Sequence, residues 1–550
     1  MKSLTGLDAT FLYLETLEMP MHVGSFNLCE LPRGFKGSFH KAVTKHMALR
    51  MHLAPVFSRK LVFMPLDLGH PLWVEADSVD VGFHVRRVGA ESSRRANSAK
   101  NDQPPMTLAA AHKRCAQLHS ELIDRNFPLW EFHIFDRIQL PKSMGGKIVG
   151  GFFSKIHHAA LDGKGGVMLA NAMLDFTPVP REVAPPDPTR RRKLESDLKL
   201  GEMIGSVFSS SLAQLAKAAR LLPSAASTLG STLGNTISSA LSAEVIGKAA
   251  GSRSRLPVRL APLTPFNTGI EAGRVFVTAT VPLVECKAMG EAVGGSLNDV
   301  VLWICSTALR DYLTRHASLP KKSLVAAMPV SLRDAGASDA TNLGNQVSMS
   351  LVELGTQLAH PLKRMNAIMA STAKVKSSMS SLKGFLPTDY PSLLAPWLVG
   401  GAARLALNAV GKSNLINRLP MLANLAISNV PGPPVPLYLA GARFLTFHPL
   451  SILVHGLALN ITIQTYAGHV DFGVVADKKA LSYANDLAKA IEAAFKQALT
   501  VFASPAEGKL PTGKPAHTRV LKATKQVKLE SPPSARWQSG HDTVPVAYND

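Results

Sequence analysis

Cysteine is scarce in this sequence, and the cysteines that occur show neither a disulfide framework nor the spacing of a metal site. The four are Cys29, Cys115, Cys286 and Cys305. With no signal peptide recognisable at the amino terminus, we expect reduced thiols in a cytosolic protein, with packing as their role. HExxH, CxxC and similar clusters are absent from the sequence. Zinc catalysis needs three convergent protein ligands, so no bound metal is expected.

Charged residues and long apolar runs are also few. Only 18% of the residues are charged and 46% are hydrophobic, yet no uninterrupted apolar stretch reaches the roughly 20 residues of a membrane-spanning helix. The charge that is present is positive, with 60 Lys and Arg against 39 Asp and Glu, a formal net charge of +21. Such an excess suits nucleic acid, phospholipid headgroups or the phosphates of coenzyme A. Because no nucleic-acid module occurs and the aromatics do not interleave with the basic residues, nucleic acid is the least favoured of these partners.

The most informative pattern present is HHxxxDG, which lies in the segment 155–163 and follows the apolar run 148–153. The pattern predicts a strand, a short turn and a helix that ends near Phe176. Because successive strand side chains point to opposite faces, His157 and His158 are not expected to enter the same cavity. One would be a base and the other its support, since an imidazole can take a proton from a hydroxyl within hydrogen-bond reach. The motif therefore indicates group transfer to an alcohol or amine, with a purely structural cluster as the alternative.

Changes in composition divide the chain into segments. Residues 1–180 alternate helix and strand signals and carry the histidine motif. Residues 181–263 begin with prolines and a basic run and continue with a Ser-, Ala- and Leu-rich stretch of helical spacing, which is either a helix pair packed on the body or an amphipathic segment at a lipid interface. Residues 264–503 form a second domain. Residues 504–550 are predicted to be a disordered basic tail.

The second domain shows its own strand and helix signals. Asn298 and Asp299 precede an apolar run, and either could cap a helix there. An apolar region, residues 390–410, is either a buried core helix or a hydrophobic wall that admits long hydrocarbon chains, and its central arginine argues against a membrane span. Strands are predicted at residues 275–281, 324–328, 346–351, 458–466 and 469–475.

Several short motifs, in order along the chain, carry a resemblance to a known family. HHxxxDG resembles the active-site motif of the superfamily that includes chloramphenicol acetyltransferase, plant alcohol acyltransferases and the condensation domains of peptide synthetases. The other motifs resemble those of bacterial wax ester synthase/diacylglycerol acyltransferases. They lie at residues 5–12, 20–24, 128–130, 296–300, 328–333, 344–346 and 428–433.

The resemblance implies a layered α/β fold, with two chloramphenicol-acetyltransferase-like domains and the active-site channel between them. It implies an O-acyltransferase that moves a long-chain acyl group from acyl-CoA to diacylglycerol or a fatty alcohol and forms triacylglycerol or wax ester. Acyl-CoA would be a co-substrate, and no cofactor would be permanently bound. The expected location is peripheral, at the inner face of the plasma membrane and on lipid inclusions.

Roles for the motif residues follow from the same resemblance. His158 is expected to be the general base, while His157, Asp162 and Gly163 support the loop. Asp162 is expected to pair with an arginine, and Arg333 is the leading candidate.

Other motifs would shape and orient the site. Pro128, Leu129 and Trp130 are expected to form part of a substrate pocket, although Trp130 could equally belong to a plain core turn. Asn298 and Asp299 would orient the site from the second domain. No glycine loop marks a coenzyme A site, so its residues are not identified. The functional alternatives are a condensation-type enzyme with another acceptor and a non-catalytic protein of the lipid-body surface.

Overall fold

The computed structural model describes residues 2–63, 70–89, 104–161, 163–186, 260–331, 347–382 and 421–502. Two predicted site residues, Asp162 and Arg333, lie outside the described residues. So do most of the segment 181–263, the greasy region 390–410 and the tail 504–550. Their predicted roles stay predictions.

Seventeen strands and nine α-helices organise the described residues. The strands are β1 (Lys2–Ser3), β2 (His22–Glu30), β3 (Arg59–Val62), β4 (Leu72–Glu75), β5 (Val85–Arg87), β6 (Met106–Thr107), β7 (Trp130–Gln139), β8 (Ile148–His157), β9 (Arg274–Pro282), β10 (Val325–Ser331), β11 (Val347–Glu353), β12 (Leu425–Val430), β13 (Tyr438–Leu439), β14 (Ala442–Phe444), β15 (His448–Leu450), β16 (Leu459–Tyr466) and β17 (His469–Asp477). The helices are α1 (Gly6–Leu14), α2 (Phe39–Ala48), α3 (Val81–His84), α4 (Leu108–Ser120), α5 (Gly163–Met173), α6 (Leu283–Ala292), α7 (Leu297–His316), α8 (Pro361–Leu382) and α9 (Ala484–Phe502).

The first large sheet has the order β13-β14-β2-β8-β7-β5, with β15 paired to β2 and β6 paired to β7. Its centre is antiparallel, and β2 and β8 run in register from His22 opposite His157 to Cys29 opposite Gly150. Strands β13 to β15 come from residues 438–450 and cross over to this sheet. The sheet is therefore not built from residues 1–180 alone. A separate small sheet has the order β1-β4-β3.

The second large sheet has the order β11-β10-β12-β16-β17-β9. The pairs β10–β12 and β12–β16 are parallel, and the remaining pairs are antiparallel. Helices α7 and α9 share its hydrophobic core, because their apolar residues pack with those of β9, β16 and β17. The predicted strands of this half are all confirmed to within a few residues at each end.

Helix α7 begins earlier than its apolar run suggested. Ser296 is the N-cap, and its hydroxyl accepts from the Asp299 backbone N–H while the Asp299 carboxylate accepts from the Ser296 backbone N–H. This reciprocal capping box satisfies backbone donors that the helix itself cannot pair. The predicted capping role is confirmed for Asp299, which acts from the third helical residue as the partner of Ser296, and the N-cap residue itself is Ser296.

No single helix in the described ranges is both long and apolar enough to cross a membrane. Within the part of the chain that the structure describes, α6 and α7 taken together satisfy such a test of length and composition, and they are bent by 101° where they meet.

Side chains of both large sheets meet in one hydrophobic cluster. Phe26 of β2 lies edge-on to Phe276 of β9, with ring centroids 6.3 Å apart. His112 of α4 packs edge-on against both rings, at 5.5 Å and 5.4 Å. The two sheets are thus joined by packing as well as by the crossing segment 438–450.

Candidate active site

The histidine pair lies where β8 ends. His157 is the last residue of the strand, and His158 opens a short 3-10 turn, His158–Ala160, that leads towards α5. The predicted order of strand, turn and helix is confirmed. The backbone leaves the strand between the two residues, so the expected strand alternation does not describe this pair, and the two rings have different neighbours. Gly163 is the first residue of α5.

His157 is completely buried and contacts groups on several sides. Its backbone N–H donates to the Leu129 carbonyl at 3.0 Å, and its Nδ1 accepts from the Ala159 N–H at 3.1 Å. Its Nε2 lies 3.3 Å from Oε1 of Glu15, which is a close contact but not a hydrogen bond. Since Nδ1 accepts a proton donor, the ring proton resides on Nε2 and faces the Glu15 carboxylate.

His158 has different surroundings. Its ring stacks on the ring of Phe11, with centroids 4.0 Å apart and planes inclined by 17°. Its backbone N–H donates to the Met21 carbonyl at 2.8 Å, while its buried Nδ1 has no hydrogen-bond partner within the described ranges. Burial lowers the pKa of His158 to about 4, and the nearby His157 ring lowers it further. The contact of the ring with its own backbone raises the pKa by less than these two effects lower it. The ring is therefore neutral at pH 7.

Glu15 is a residue of this site that the sequence interpretation missed. It follows the last residue of α1, and its side chain is only 1% exposed. Oε1 accepts from the Met21 N–H at 3.0 Å, and Oε2 accepts from Arg125 at 2.7 and 3.1 Å. Burial raises the pKa of this carboxyl, but the contacts with His157, Arg125 and Met21 together lower it to about 2. Glu15 and Glu18 are both acidic residues in the mostly apolar segment 11–21, so no local signal distinguished Glu15.

The two amino-terminal motifs hold this arrangement in place. In the first, Thr5 caps α1 through the Asp8 N–H at 3.2 Å, so α1 presents Phe11 to the histidine pair. In the second, residues 20–24, the glycine has a steric role. A side chain at Gly24 would meet the Ser154 carbonyl oxygen well inside van der Waals contact, so only glycine lets β2 approach β8 this closely.

A row of buried ionisable groups extends from the site across the sheet. Lys155 lies 3.4 Å from Glu131, which is 3.1 Å from His133. Burial lowers the pKa of Lys155, and Glu131 partly offsets this effect. His22 contacts the His119 carbonyl at 2.8 Å, and burial lowers the pKa of His119 to about 3. These histidines are neutral at pH 7.

The predicted pocket residues 128–130 lie beside the histidine pair. The Leu129 carbonyl holds the His157 backbone N–H. Trp130 is fully buried, with its indole N–H donating to the Phe57 carbonyl at 3.2 Å and its ring stacked on His84 at 4.3 Å. These contacts match the core-turn interpretation of Trp130. Pro128 is also buried, and a role of this motif in a substrate pocket stays a prediction.

Asn298 and Asp299 contact groups of the second sheet and its helices. The Asn429 amide donates to the Asn298 side-chain oxygen at 3.3 Å, which joins the motifs 296–300 and 428–433. The Asp299 carboxylate accepts from Ser296 at 2.6 Å and from Thr372 at 2.7 Å. These contacts make Asp299 a helix cap, and its predicted orienting role stays a prediction.

Asp471 of β17 links the second large sheet to the crossing segment 438–450. Its carboxylate accepts from the Thr280 hydroxyl at 2.7 Å and from the Phe447 N–H at 2.6 Å. A side chain at Gly473 would overlap the Pro449 carbonyl oxygen. The crossing segment 438–450 is therefore packed tightly against β17.

Comparisons with known proteins identify the family of this chain. The family model of the wax ester synthase/diacylglycerol acyltransferase catalytic domain matches residues 4–301, and the model of the C-terminal domain of the same family matches residues 343–498. The chain belongs to this family. A putative diacylglycerol O-acyltransferase of Mycobacterium tuberculosis is 31% identical over 503 residues, covering 90% of this chain and 98% of that protein.

Further relatives of this wax ester synthase/diacylglycerol acyltransferase family member support the same assignment. A probable diacylglycerol O-acyltransferase of Mycobacterium tuberculosis, Tgs2, is 30% identical over 500 residues, covering 89% of this chain and 97% of that protein. The solved wax ester synthase/diacylglycerol acyltransferase of Marinobacter aquaeolei VT8 has 25% identity and a TM-score of 0.61, and the match covers 92% of this chain and 100% of that one. The protein is an acyltransferase, and the predicted family and two-domain α/β fold are confirmed.

Proposed function

We propose that this protein transfers a long-chain acyl group from acyl-CoA to diacylglycerol, a fatty alcohol or both, with His158 as the general base. The observation that carries the proposal is the His158 ring, which is neutral at pH 7 and stacked against Phe11 at the end of β8. A neutral imidazole in a fixed position is ready to accept a hydroxyl proton. The names of the relatives support diacylglycerol as an acceptor, and the family name supports a fatty alcohol.

The reaction then needs no acyl-enzyme. His158 accepts the proton of the acceptor hydroxyl as its oxygen attacks the thioester carbonyl, and a tetrahedral oxyanion forms. The carbon–sulfur bond then breaks, and His158 donates the proton to the sulfur of the departing coenzyme A. The ester product keeps the acyl group and the acceptor oxygen. Donors placed near the developing oxyanion would lower this barrier.

A product assay tests this function. The purified protein is incubated with radiolabelled palmitoyl-CoA and, separately, with dioleoylglycerol, hexadecanol or a long-chain amine, and products are separated by thin-layer chromatography. We expect labelled triacylglycerol or wax ester and free coenzyme A in equal amounts. Labelled amide alone would favour a condensation-type reaction, and the absence of any acceptor-dependent product would favour a non-catalytic lipid-body protein.

We also propose peripheral attachment to an anionic membrane or to lipid inclusions, at the inner face of the plasma membrane. The net charge of +21 supports this proposal, because basic residues near an anionic surface gain about 1 kcal/mol each. Acyl acceptors of low water solubility would be available at such a surface.

A further inference from the structure

Glu15 contacts both neighbours that fix the position of His158. Its Oε1 faces Nε2 of His157 at 3.3 Å, and the same oxygen accepts from the Met21 N–H at 3.0 Å. The Met21 carbonyl in turn accepts from the His158 N–H at 2.8 Å. The Glu15 carboxylate is therefore connected to His158 in two ways, through the adjacent His157 and through the backbone of Met21.

Helix α1 adds a third route to the same ring. Glu15 follows the last residue of α1, and Phe11 of that helix stacks on His158 at 4.0 Å. Arg125 fixes the carboxylate from the other side, at 2.7 Å, and also donates to the Leu12 carbonyl at 2.8 Å. The end of α1, the carboxylate and the stacked ring are thus held as one unit.

We propose that Glu15, held by Arg125, is the positioning residue of the general base, acting on His158 through His157 and Met21. The proposal rests on the proposed function of His158. Glu15 keeps the ring proton of His157 on Nε2, which leaves Nδ1 free to accept the Ala159 N–H. That contact sets the backbone of the turn that carries His158.

Glu15→Gln tests the proposal because glutamine has nearly the same shape but carries an N–H₂ group. Because Arg125 offers only donors, the amide oxygen takes the place of Oε2, and the nitrogen takes the place of Oε1. There the nitrogen loses the Met21 N–H and donates to Nε2 of His157. The ring proton of His157 is then displaced to Nδ1, where it opposes the Ala159 N–H. We expect kcat to fall on the order of 10–100-fold from misplacement of His158, with KM little changed.

A matched control separates positioning from loss of a buried carboxylate. Glu131 is 4% exposed, pairs with a histidine and a lysine, and has a pKa lowered to about 2 because its partners outweigh the effect of burial. None of its described contacts is with His157 or Met21. Glu131→Gln should lower the melting temperature about as much as Glu15→Gln while leaving kcat close to that of the wild type. Equal losses of kcat in the two variants would overturn the proposal.

A spectroscopic measurement makes the test independent of turnover. In protein labelled with ¹⁵N-histidine, the His157 ring nitrogens, assigned by their loss in His157→Asn, should show an Nε2–H tautomer in the wild type and a change in Glu15→Gln. An unchanged tautomer would contradict the proposal. If Glu15→Gln does not fold, Arg125→Gln serves instead, since Arg125 is 31% exposed, and it should lower kcat in the same direction. A wild type without acyl transfer would refute the proposed function, while the tautomer measurement would still decide the contact.

Discussion

At the residue scale, adjacent histidines acquire different properties from what surrounds them. His157 is enclosed by hydrogen-bonding groups, with Ala159 on Nδ1 and Glu15 facing Nε2. His158 is flanked by the apolar Phe11 ring, and its Nδ1 has no partner within the described ranges. A ring whose Nδ1 is hydrogen-bonded and whose Nε2 faces a carboxylate is suited to support, and a neutral ring beside an apolar side chain is suited to accept a proton.

The first prediction concerns the two nitrogens of His157. His157→Asn places an amide near the position of Nδ1 and can keep the Ala159 N–H, while His157→Gln reaches towards Glu15 and loses the Ala159 contact. We expect Asn to retain more activity than Gln, because the Ala159 contact fixes the turn. Steady-state kinetics and thermal melting of both variants check this. Higher activity in the Gln variant would show that the contact with Glu15 matters more.

The second prediction is the pH dependence of kcat/KM. His158 must be neutral to accept a proton, and burial lowers its pKa to about 4. The rate should stay level as the pH falls from neutral to about 5 and should decline below that value. An exposed histidine would instead give a midpoint near pH 6.5, and a measured midpoint there would contradict the buried environment.

Stability must be followed in the same experiment. The folded pKa of His158 lies below its ordinary value, so its neutral form favours the folded state above pH 6.5, and this contribution is lost as the pH falls from about 6.5 towards 4. The lowered pKa values of His112 and His119, each about 3 because of burial, act in the same direction. Rates are therefore compared only at pH values where the fluorescence spectrum remains native.

At the element scale, the sequence predicted what depends on local pattern. The β-branched and aromatic residues of 275–281 predicted β9, and HHxxxDG predicted the passage from β8 through a turn to α5. Strands β13 to β15 were missed, because they are two or three residues long and pair with a sheet far away in the chain. Glu15 and Arg125 were missed as a pair because 110 residues separate them, and no local pattern links such distant positions.

The third prediction tests the join between β17 and the crossing segment. Gly473→Ala forces a methyl group against the Pro449 carbonyl, so the free energy of unfolding should fall by about 1–3 kcal/mol, as in overpacked cores. The matched control is Gly166→Ala in α5, where no atom lies within 4 Å of the added carbon. That variant should be neutral or gain about 0.5–1 kcal/mol from helix propensity. A Gly473→Ala protein as stable as the wild type would mean that the two segments pack less tightly.

At the scale of the whole molecule, positive charge and apolar composition act together. The chain carries a net charge of +21, and 46% of its residues are hydrophobic. Surface charge of one sign acts over a distance set by salt, about 8 Å at physiological ionic strength. An acyltransferase with lipid acceptors can use this attraction to reach a membrane surface.

The fourth prediction is reversible, salt-sensitive membrane binding. The full-length protein should float with liposomes that contain phosphatidylglycerol, bind pure phosphatidylcholine liposomes more weakly, and dissociate as NaCl rises, because headgroup attraction is screened. Binding that resists high salt and alkaline carbonate would indicate insertion. No binding to either liposome would contradict peripheral attachment.

The most direct test of the account is the initial rate of acyl transfer by His158→Ala, measured beside the wild type and His52→Ala. His52 is a partly exposed histidine whose Nε2 contacts the Ala184 carbonyl at 2.9 Å, so its loss controls for removing an imidazole. We expect His158→Ala to lose at least about 100-fold in kcat, the usual contribution of a general base, with a native circular dichroism spectrum and an unchanged rate in His52→Ala. A folded His158→Ala protein with near wild-type kcat would contradict the account.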